Sequence, residues 1–406
     1  MRDPAVRHPE TARALIAALL PIMTVVFVSY LVIGLAMPVL PLYVHEGLGF
    51  GTFMVGLASG CEFAAALVSR FWSGSYADTR GAKRAILAGL LFGTAAGLLY
   101  LVSMHSTQKP NVAISILLLG RVLLGASESF VITGALAWGL VLGGPQNTGL
   151  VISWIGTALW GAYAIGAPLG TSLYAHYGFT GIALVTALFP ALTLLVVVPL
   201  RQIAPSAKAS PPISRVLGAV WASGIGLALT AVGFGVVTTF TTLLFAQRGW
   251  DMAWLAYTTL SAGFILGRLV FGHLPDKLGG ARVALVCVLV EAAGLVPIWL
   301  APSPLWAFWG AGITGLGYSL VYPGFGLEAV RRAPTDSRGL AMGAYTAFLD
   351  LALGIANPAL GLLAAWVGLA SVFPVSALVV LCAAGIAVGL LHASAARSPD
   401  STNLQG

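Results

Sequence analysis

Charge is scarce in this chain. Only 8% of the 406 residues are Asp, Glu, Lys or Arg, about a third of what a soluble domain carries. Hydrophobic residues make up 58%, and the mean hydropathy is +0.94. A water-soluble fold is excluded, because there is too little polar surface to face water. Cysteine is nearly absent. Cys61, Cys287 and Cys382 each lie alone inside an apolar run, which excludes a disulfide framework and zinc-type spacing, so neither a metal nor a cofactor is expected. The six histidines, His8, His45, His105, His176, His273 and His392, are scattered over loops and ends. A membrane-embedded enzyme needs convergent His, Cys or Asp groups, so the chain is not expected to be an enzyme. A Walker A sequence is missing, which disfavours an ATP-driven pump. No cleavable signal is expected, because the first apolar run, from Ala14 to Tyr43, is too long for a signal core. Residues 393–406 are too short to be read as a signalling domain. The net charge of +7 could suggest nucleic acid. The basic residues, however, sit in short loops between apolar runs, which is a topology signal, and no nucleic-acid partner is expected.

The chain instead offers twelve apolar runs near the roughly 20 residues that cross a bilayer: 15–43, 52–73, 84–103, 112–141, 147–174, 180–200, 216–246, 252–272, 282–301, 304–330, 339–366 and 369–392. Only Gly143, Gly144 and Pro145 separate the fourth from the fifth. Residues 201–215, RQIAPSAKASPPISR, cannot bury apolar area and read as a solvated linker. The expected fold is an all-α membrane protein, with one six-helix bundle in 1–200, the linker in 201–215 and a second bundle in 216–406. Loop charge sets the orientation. With the N-terminus inside, fifteen Lys and Arg residues face the cytoplasm and only Lys109 and Arg248 face outward. Both termini are therefore expected at the cytoplasmic face of a bacterial inner membrane.

The two halves share a motif. Arg70–Arg84, RFWSGSYADTRGAKR, recurs 198 positions later as Arg268–Arg282, RLVFGHLPDKLGGAR. Arg70, Gly74, Asp78, Gly81 and Arg84 match Arg268, Gly272, Asp276, Gly279 and Arg282 in one register, as an internal duplication requires. Glycines permit tight turning and close helix approach. Asp78 can pair with an arginine or a helix N-terminus, while Arg80, Lys83 and Arg84 anchor the turn at an anionic leaflet. These residues form a candidate cytoplasmic gate.

Twelve spans, a midpoint linker and a G-x-x-x-D-x-x-G-x-x-R loop after spans 2 and 8 resemble the major facilitator superfamily. Gly120-Arg121-Val-Leu-Leu-Gly125-Ala-Ser-Glu128 is similar to the span-4 signature of its proton-coupled members. Gly161 and Gly166-Ala-Pro168-Leu-Gly170 resemble the span-5 glycine–proline motif of its antiporters, with a sparser glycine spacing. SESFVITGALAWG, GLVISWIGTALWGAYAIGAPLG, EAVRR and GAYTAFLDLALG resemble the YhhS-like branch of bacterial permeases. The resemblance implies alternating access, with the gate latching the two halves in the outward-open state. It also implies a secondary transporter that exports a small organic compound, by proton antiport. A sugar or metabolite importer and an uncoupled facilitator remain alternatives of the same class. The implied partners are a small-molecule substrate, protons and the lipid bilayer, and the chain is expected to act as a monomer.

Charges inside spans cost about 2.5–3.5 kcal/mol each at mid-helix on insertion scales. Here they are Glu62, Arg70, Arg121, Glu128, Arg268, Glu291 and Asp350. In the superfamily fold, spans 1, 4, 7 and 10 line the cavity and 2, 5, 8 and 11 flank it. This places Glu62, Arg121, Glu128 and Asp350 at the cavity and Glu291, on span 9, at the periphery. Asn357 shares a face with Asp350. Among aromatics at cavity positions (Phe27, Trp154, Trp160, Phe234, Phe240, Tyr318, Tyr322 and Phe348 included), Tyr30, Trp138 and Tyr345 complete the candidate site. Arg121 and Glu128, two turns apart on one face, read as a fixed pair. Glu62 and Asp350 have no such partner on their own helices. They are expected to gain and lose the coupling proton, Asp350 foremost. Pro38, Pro41, Pro168 and Pro358 mark bendable segments.

Overall fold

A computed structural model of the chain describes residues 12–200, 202, 213–333 and 338–395. Most of the linker at 201–215 lies outside the described residues. Every regular element described is helical. Spans 1 to 4 are Ala12–Ala36, Thr52–Arg80, Ala82–His105 and Pro110–Gly143. Span 1 stops before Pro38, resumes at Leu40–Leu42 and closes in a π-helical turn at Tyr43–Gly47. Spans 5 and 6 occupy one run, Thr148–Val197, that reverses at Gly178, whose φ of 60° and ψ of −161° suit only glycine. Spans 7, 8 and 9 are Ile213–Arg248, Ala253–Phe271 and Gly280–Leu300, and spans 11 and 12 are Arg338–Val367 and Val372–Ala395.

Span 10 is broken into Pro304–Tyr318 and Val321–Arg332. The cause is in the sequence. The carbonyl of Ser319 would accept from the N–H four residues on, and that residue is Pro323, which has none.

Packing repeats between the halves. Span 4 packs on 2 and 3, span 6 on 3, and span 5 on 1; likewise span 10 packs on 8 and 9, span 12 on 9, and span 11 on 7. Two seams join the bundles, span 2 against 11 and span 5 against 8, and each is the other's counterpart under the duplication. The duplication extends to backbone angles. Gly81 has φ 95° and ψ 148°, and Gly279 has φ 92° and ψ 143°. Each ends a helix by donating its N–H to the carbonyl four residues back, Ala77 and Pro275. A side chain is strained at these angles, so both repeat copies keep glycine there.

The seams are closed at one end only. Away from the Gly81 and Gly279 loops, Gly56 and Gly60 bring span 2 against the backbone of Gly354, Asn357 and Pro358, and Thr52 Oγ1 donates to the Gly361 carbonyl at 2.7 Å. On the second seam Thr258 Oγ1 donates to the Ala164 carbonyl at 3.3 Å, and the rings of Trp160 and Phe264 stack with centroids 3.6 Å apart. Towards the loops the facing positions meet open space. A Cβ at Gly74, one turn beyond Arg70, or at Gly343, two turns before Asp350, or at Gly156, one turn before Trp160, would touch nothing within 4 Å. The bundles are therefore parted at the loop end.

Candidate functional site

Three charged constellations occupy the bundle interface. In the first, Glu62 of span 2 forms an ion pair with Arg121 of span 4. Gly125 makes this possible, because a Cβ there would collide with the Glu62 carbonyl, so only glycine lets the two helices close. Arg121 also donates from Nε to the Ala58 carbonyl at 2.9 Å. Both side chains are buried, 1% and 6% exposed. A cavity of about 20 Å³ lies beside the pair, with Ser59 and, from the other bundle, Thr238 and Thr239 in its wall. It has room for one water.

The second constellation spans the two bundles. Arg70 on span 2 donates to Asp350 Oδ2 on span 11 from Nε at 2.7 Å and from Nη2 at 2.6 Å. Asp350 is 1% exposed and Arg70 19%. The third is Glu128 on span 4. Its Oε1 accepts from the Tyr30 hydroxyl of span 1 at 3.2 Å. Its Oε2 is buried with no partner among the described residues. Glu128 lies within electrostatic reach of Glu62, Asp350 and Arg70, but no cation pairs with it among the described residues.

This reverses the pairing expected from spacing. Seven residues place Arg121 and Glu128 on one face, but about 10 Å apart along the helix axis, and Glu62 approaches Arg121 more closely from the neighbouring helix. Asp350, expected to lack a cation, takes Arg70 from 280 positions away. Arg70 itself, grouped by sequence with the gate, belongs to the interface. The carboxylate left over is Glu128.

The remaining candidates separate. Asn357 is buried against Gly235 of span 7, its amide without a partner among the described residues, on the closed part of the seam. Tyr345 lies inside the second bundle, where its hydroxyl donates to the Tyr322 carbonyl at 2.9 Å. Trp138 is buried in the apolar core. Among the described residues, none of the three joins the charged cluster through a hydrogen bond or ion pair. Glu291, read as peripheral, sits in the second bundle in the space that a Cβ on Gly233 would need, with neither oxygen partnered among the described residues. Of the gate residues, Asp78, Arg84, Asp276 and Arg282 are exposed, and none forms an ion pair among the described residues. Gly74 and Gly272 are not approached by the opposite bundle. Lys83 does more than anchor the turn, since its Nζ donates to the carbonyls of Val198 and Leu200 at 2.6 and 2.7 Å, fixing the end of span 6.

An aromatic row continues from the acidic cluster across the interface. Tyr30 meets Tyr163 edge-on at 5.6 Å, Tyr163 meets Trp160 at 5.7 Å, and Trp160 contacts Phe264, Phe234 and Tyr318 of the second bundle. Phe264 escaped the sequence reading; its only signal is its position one turn before the repeat arginine Arg268. In span 5 the glycines of the Gly166-Ala-Pro168-Leu-Gly170 segment press on the backbone of Gly34 and Leu35 in span 1.

Comparison with known proteins agrees with this architecture. A family model described as Major Facilitator Superfamily matches residues 22–336 and 251–406. An uncharacterised MFS-type transporter of Salmonella typhimurium is 43% identical over 91% of this chain and 96% of its own length. The uncharacterised MFS-type transporter YhhS of Escherichia coli K12 is 40% identical over 90% of this chain and 89% of its own. Among solved structures, the nucleoside transporter NupG superposes with a TM-score of 0.71 at 14% identity, over 92% of this chain and 98% of its own. A bacterial homologue of the human lysosomal transporter Spinster, in an inward-facing and occupied conformation, gives 0.69 at 15%, over 95% and 98%. With its paired seams, its duplicated loop and relatives that match it almost end to end, the chain belongs to the major facilitator superfamily, as a membrane transporter of the YhhS-like kind.

Proposed function

We propose that the protein exports a small organic compound across the bacterial inner membrane by proton antiport, and that Glu128 carries the proton. The observation that carries this reading is the charge count in the buried cluster. Three carboxylates, Glu62, Glu128 and Asp350, meet two arginines that are each already paired. A buried carboxylate without a cation is costly as an anion and acceptable as a neutral acid. Glu128 can therefore hold a proton while buried and give it up when the pathway opens to water. The Tyr30 hydroxyl gives the ionised form one hydrogen bond and keeps the side chain at the interface.

Loop charge supports a cytoplasmic position for the Gly81 and Gly279 loops; on that reading the parted end is the inward-facing mouth and the closed seams form the outer barrier. Alternating access rocks one bundle against the other, parting 52–64 from 354–361 and closing the loop end. In that outward-open state the Asp78 loop would meet the second bundle and latch it. The Arg70–Asp350 bridge lies between the part of the seam that opens and the part that closes.

The test begins with an overexpressing strain challenged with a compound panel to find an exported solute. Wild-type and Glu128→Gln proteoliposomes are then compared for efflux driven by a pH gradient and for solute exchange without one. Glu128→Gln should lose the driven efflux and keep exchange. Driven efflux of wild-type magnitude and pH dependence in Glu128→Gln would remove Glu128 as the carrier.

A further inference from the structure

The duplication gives Arg70 and Arg268 equivalent places, one turn inside the first glycine of the repeated loop, yet their surroundings differ. Arg70 reaches across the seam between spans 2 and 11 to Asp350. Arg268 lies one turn from Phe264, which stacks on Trp160 across the equivalent seam between spans 8 and 5. Thr148–Tyr177 of span 5 contains no acidic residue, and no carboxylate pairs with Arg268 among the described residues.

Among the described residues, a carbonyl and an aromatic ring hold Arg268, which lies within electrostatic reach of Tyr322. Its Nη1 donates at 3.2 Å to the Ser319 carbonyl that Pro323 leaves free, and its guanidinium lies 5.9 Å from the centre of the Phe264 ring. A guanidinium has five N–H donors, and this contact uses one. On the two antiparallel helices Trp160 stacks on Phe264, so one turn towards the loops Gly156 comes opposite Arg268. A Cβ at Gly156 would meet nothing within 4 Å. A cation without a carboxylate partner thus borders open space in the parted mouth, directly below the aromatic row of Phe264, Trp160 and Tyr318.

We propose that Arg268 recognises an anionic group, a carboxylate or a phosphate, on the transported solute, and that the aromatic row above it takes an apolar or aromatic body. This rests on the reading of the bundle interface as the transport pathway. The guanidinium fork matches either oxyanion in two parallel hydrogen bonds, and the missing acidic residue in span 5 leaves the place that Asp350 fills on the other seam to the ligand. Asp350 and Glu62 are occupied by their own arginines, so neither competes for Arg268.

Binding is tested without any gradient, so the outcome is independent of whether Glu128 carries a proton. Purified protein in neutral detergent is dialysed to equilibrium against radiolabelled benzoate, phenyl phosphate, benzamide and benzylammonium. Benzoate or phenyl phosphate should bind in preference to benzamide and benzylammonium. Arg268→Gln should weaken anion binding about tenfold or more, and Arg268→Lys, a charge without the fork, should restore part of it. A second measurement does not need the glutamine variant to fold: in Gly156→Cys, benzoate should slow maleimide labelling and benzamide should not. Absence of anion binding, a preference for benzylammonium, anion binding equal in wild type and Arg268→Gln, or labelling indifferent to benzoate would each overturn the proposal. Nanodiscs separate the two sources of an anion. If replacing phosphatidylcholine with phosphatidylglycerol abolishes benzoate binding, Arg268 serves a lipid headgroup and the solute reading falls.

Discussion

Glu62→Gln and Glu128→Gln make the same chemical change at two buried carboxylates on neighbouring helices, and the structure requires very unequal effects on stability. Glu62 neutralises Arg121, and both are buried. Removing one member of a buried ion pair leaves an uncompensated charge and costs about 3–5 kcal/mol. Arg121 retains the Ala58 carbonyl as an acceptor for Nε, and the new amide oxygen can accept one further bond. The loss therefore falls near the lower bound, about 3 kcal/mol, or about a hundredfold in the folding equilibrium. Glu128→Gln orphans no cation and preserves an acceptor for the Tyr30 hydroxyl, so its effect should stay within about 0.5 kcal/mol. Thermal unfolding of the purified variants, followed by intrinsic fluorescence, should show a large drop for Glu62→Gln and almost none for Glu128→Gln. Adding Arg121→Met to Glu62→Gln should recover most of the loss, because the buried charge goes with its partner. Equal destabilisation by the two single substitutions, or no recovery in the double variant, would refute the assignment of the pairs.

Two further outcomes follow from the loop end. Asp78 is exposed and forms no ion pair among the described residues, so Asp78→Asn should leave thermal stability unchanged while spin-label distances across the loop end shift further towards the parted state; an unchanged distance distribution would argue against a latch. A cysteine at Thr79 should react with an impermeant maleimide only from the cytoplasmic side and one at Gln108 only from outside, since both residues are exposed in loops or helix ends on opposite sides; the reverse pattern in intact cells would invert the orientation.

Most of the architecture was readable in the chain because a bilayer imposes it locally. Each span must satisfy its own backbone hydrogen bonds, so length and hydropathy suffice to find it. The repeat could be recognised because Gly81 and Gly279 hold a backbone conformation that other residues tolerate poorly. The charge pairs were not readable. Which carboxylate meets Arg121 depends on the rotation of span 2 against span 4 and on the close approach at Gly125, and neither is encoded within one helix. Arg70 and Asp350 are brought together only by the docking of the two bundles. Tyr345 shows the same limit, since an aromatic residue one turn from Asp350 in sequence points into its own bundle. The break at Pro323 was open to reading, as a proline inside an apolar run, but its partner Arg268 could be found only in three dimensions.

The closed part of the seam between spans 2 and 11 is built where Gly56, Gly60, Gly354 and Gly361 bring backbone against backbone and leave only small side chains to interlock. Two such surfaces meet like polished plates: nothing has to rotate out of a socket before they part, and nothing has to find its socket when they meet again. Adhesion comes from many weak backbone contacts spread over the length of the seam, so separation can proceed progressively from one end without a single large step. In the proposed rocking cycle this barrier opens once per turnover, and that smoothness would favour speed. A larger side chain at any of the four positions would act as a wedge, holding the closed end of the seam ajar.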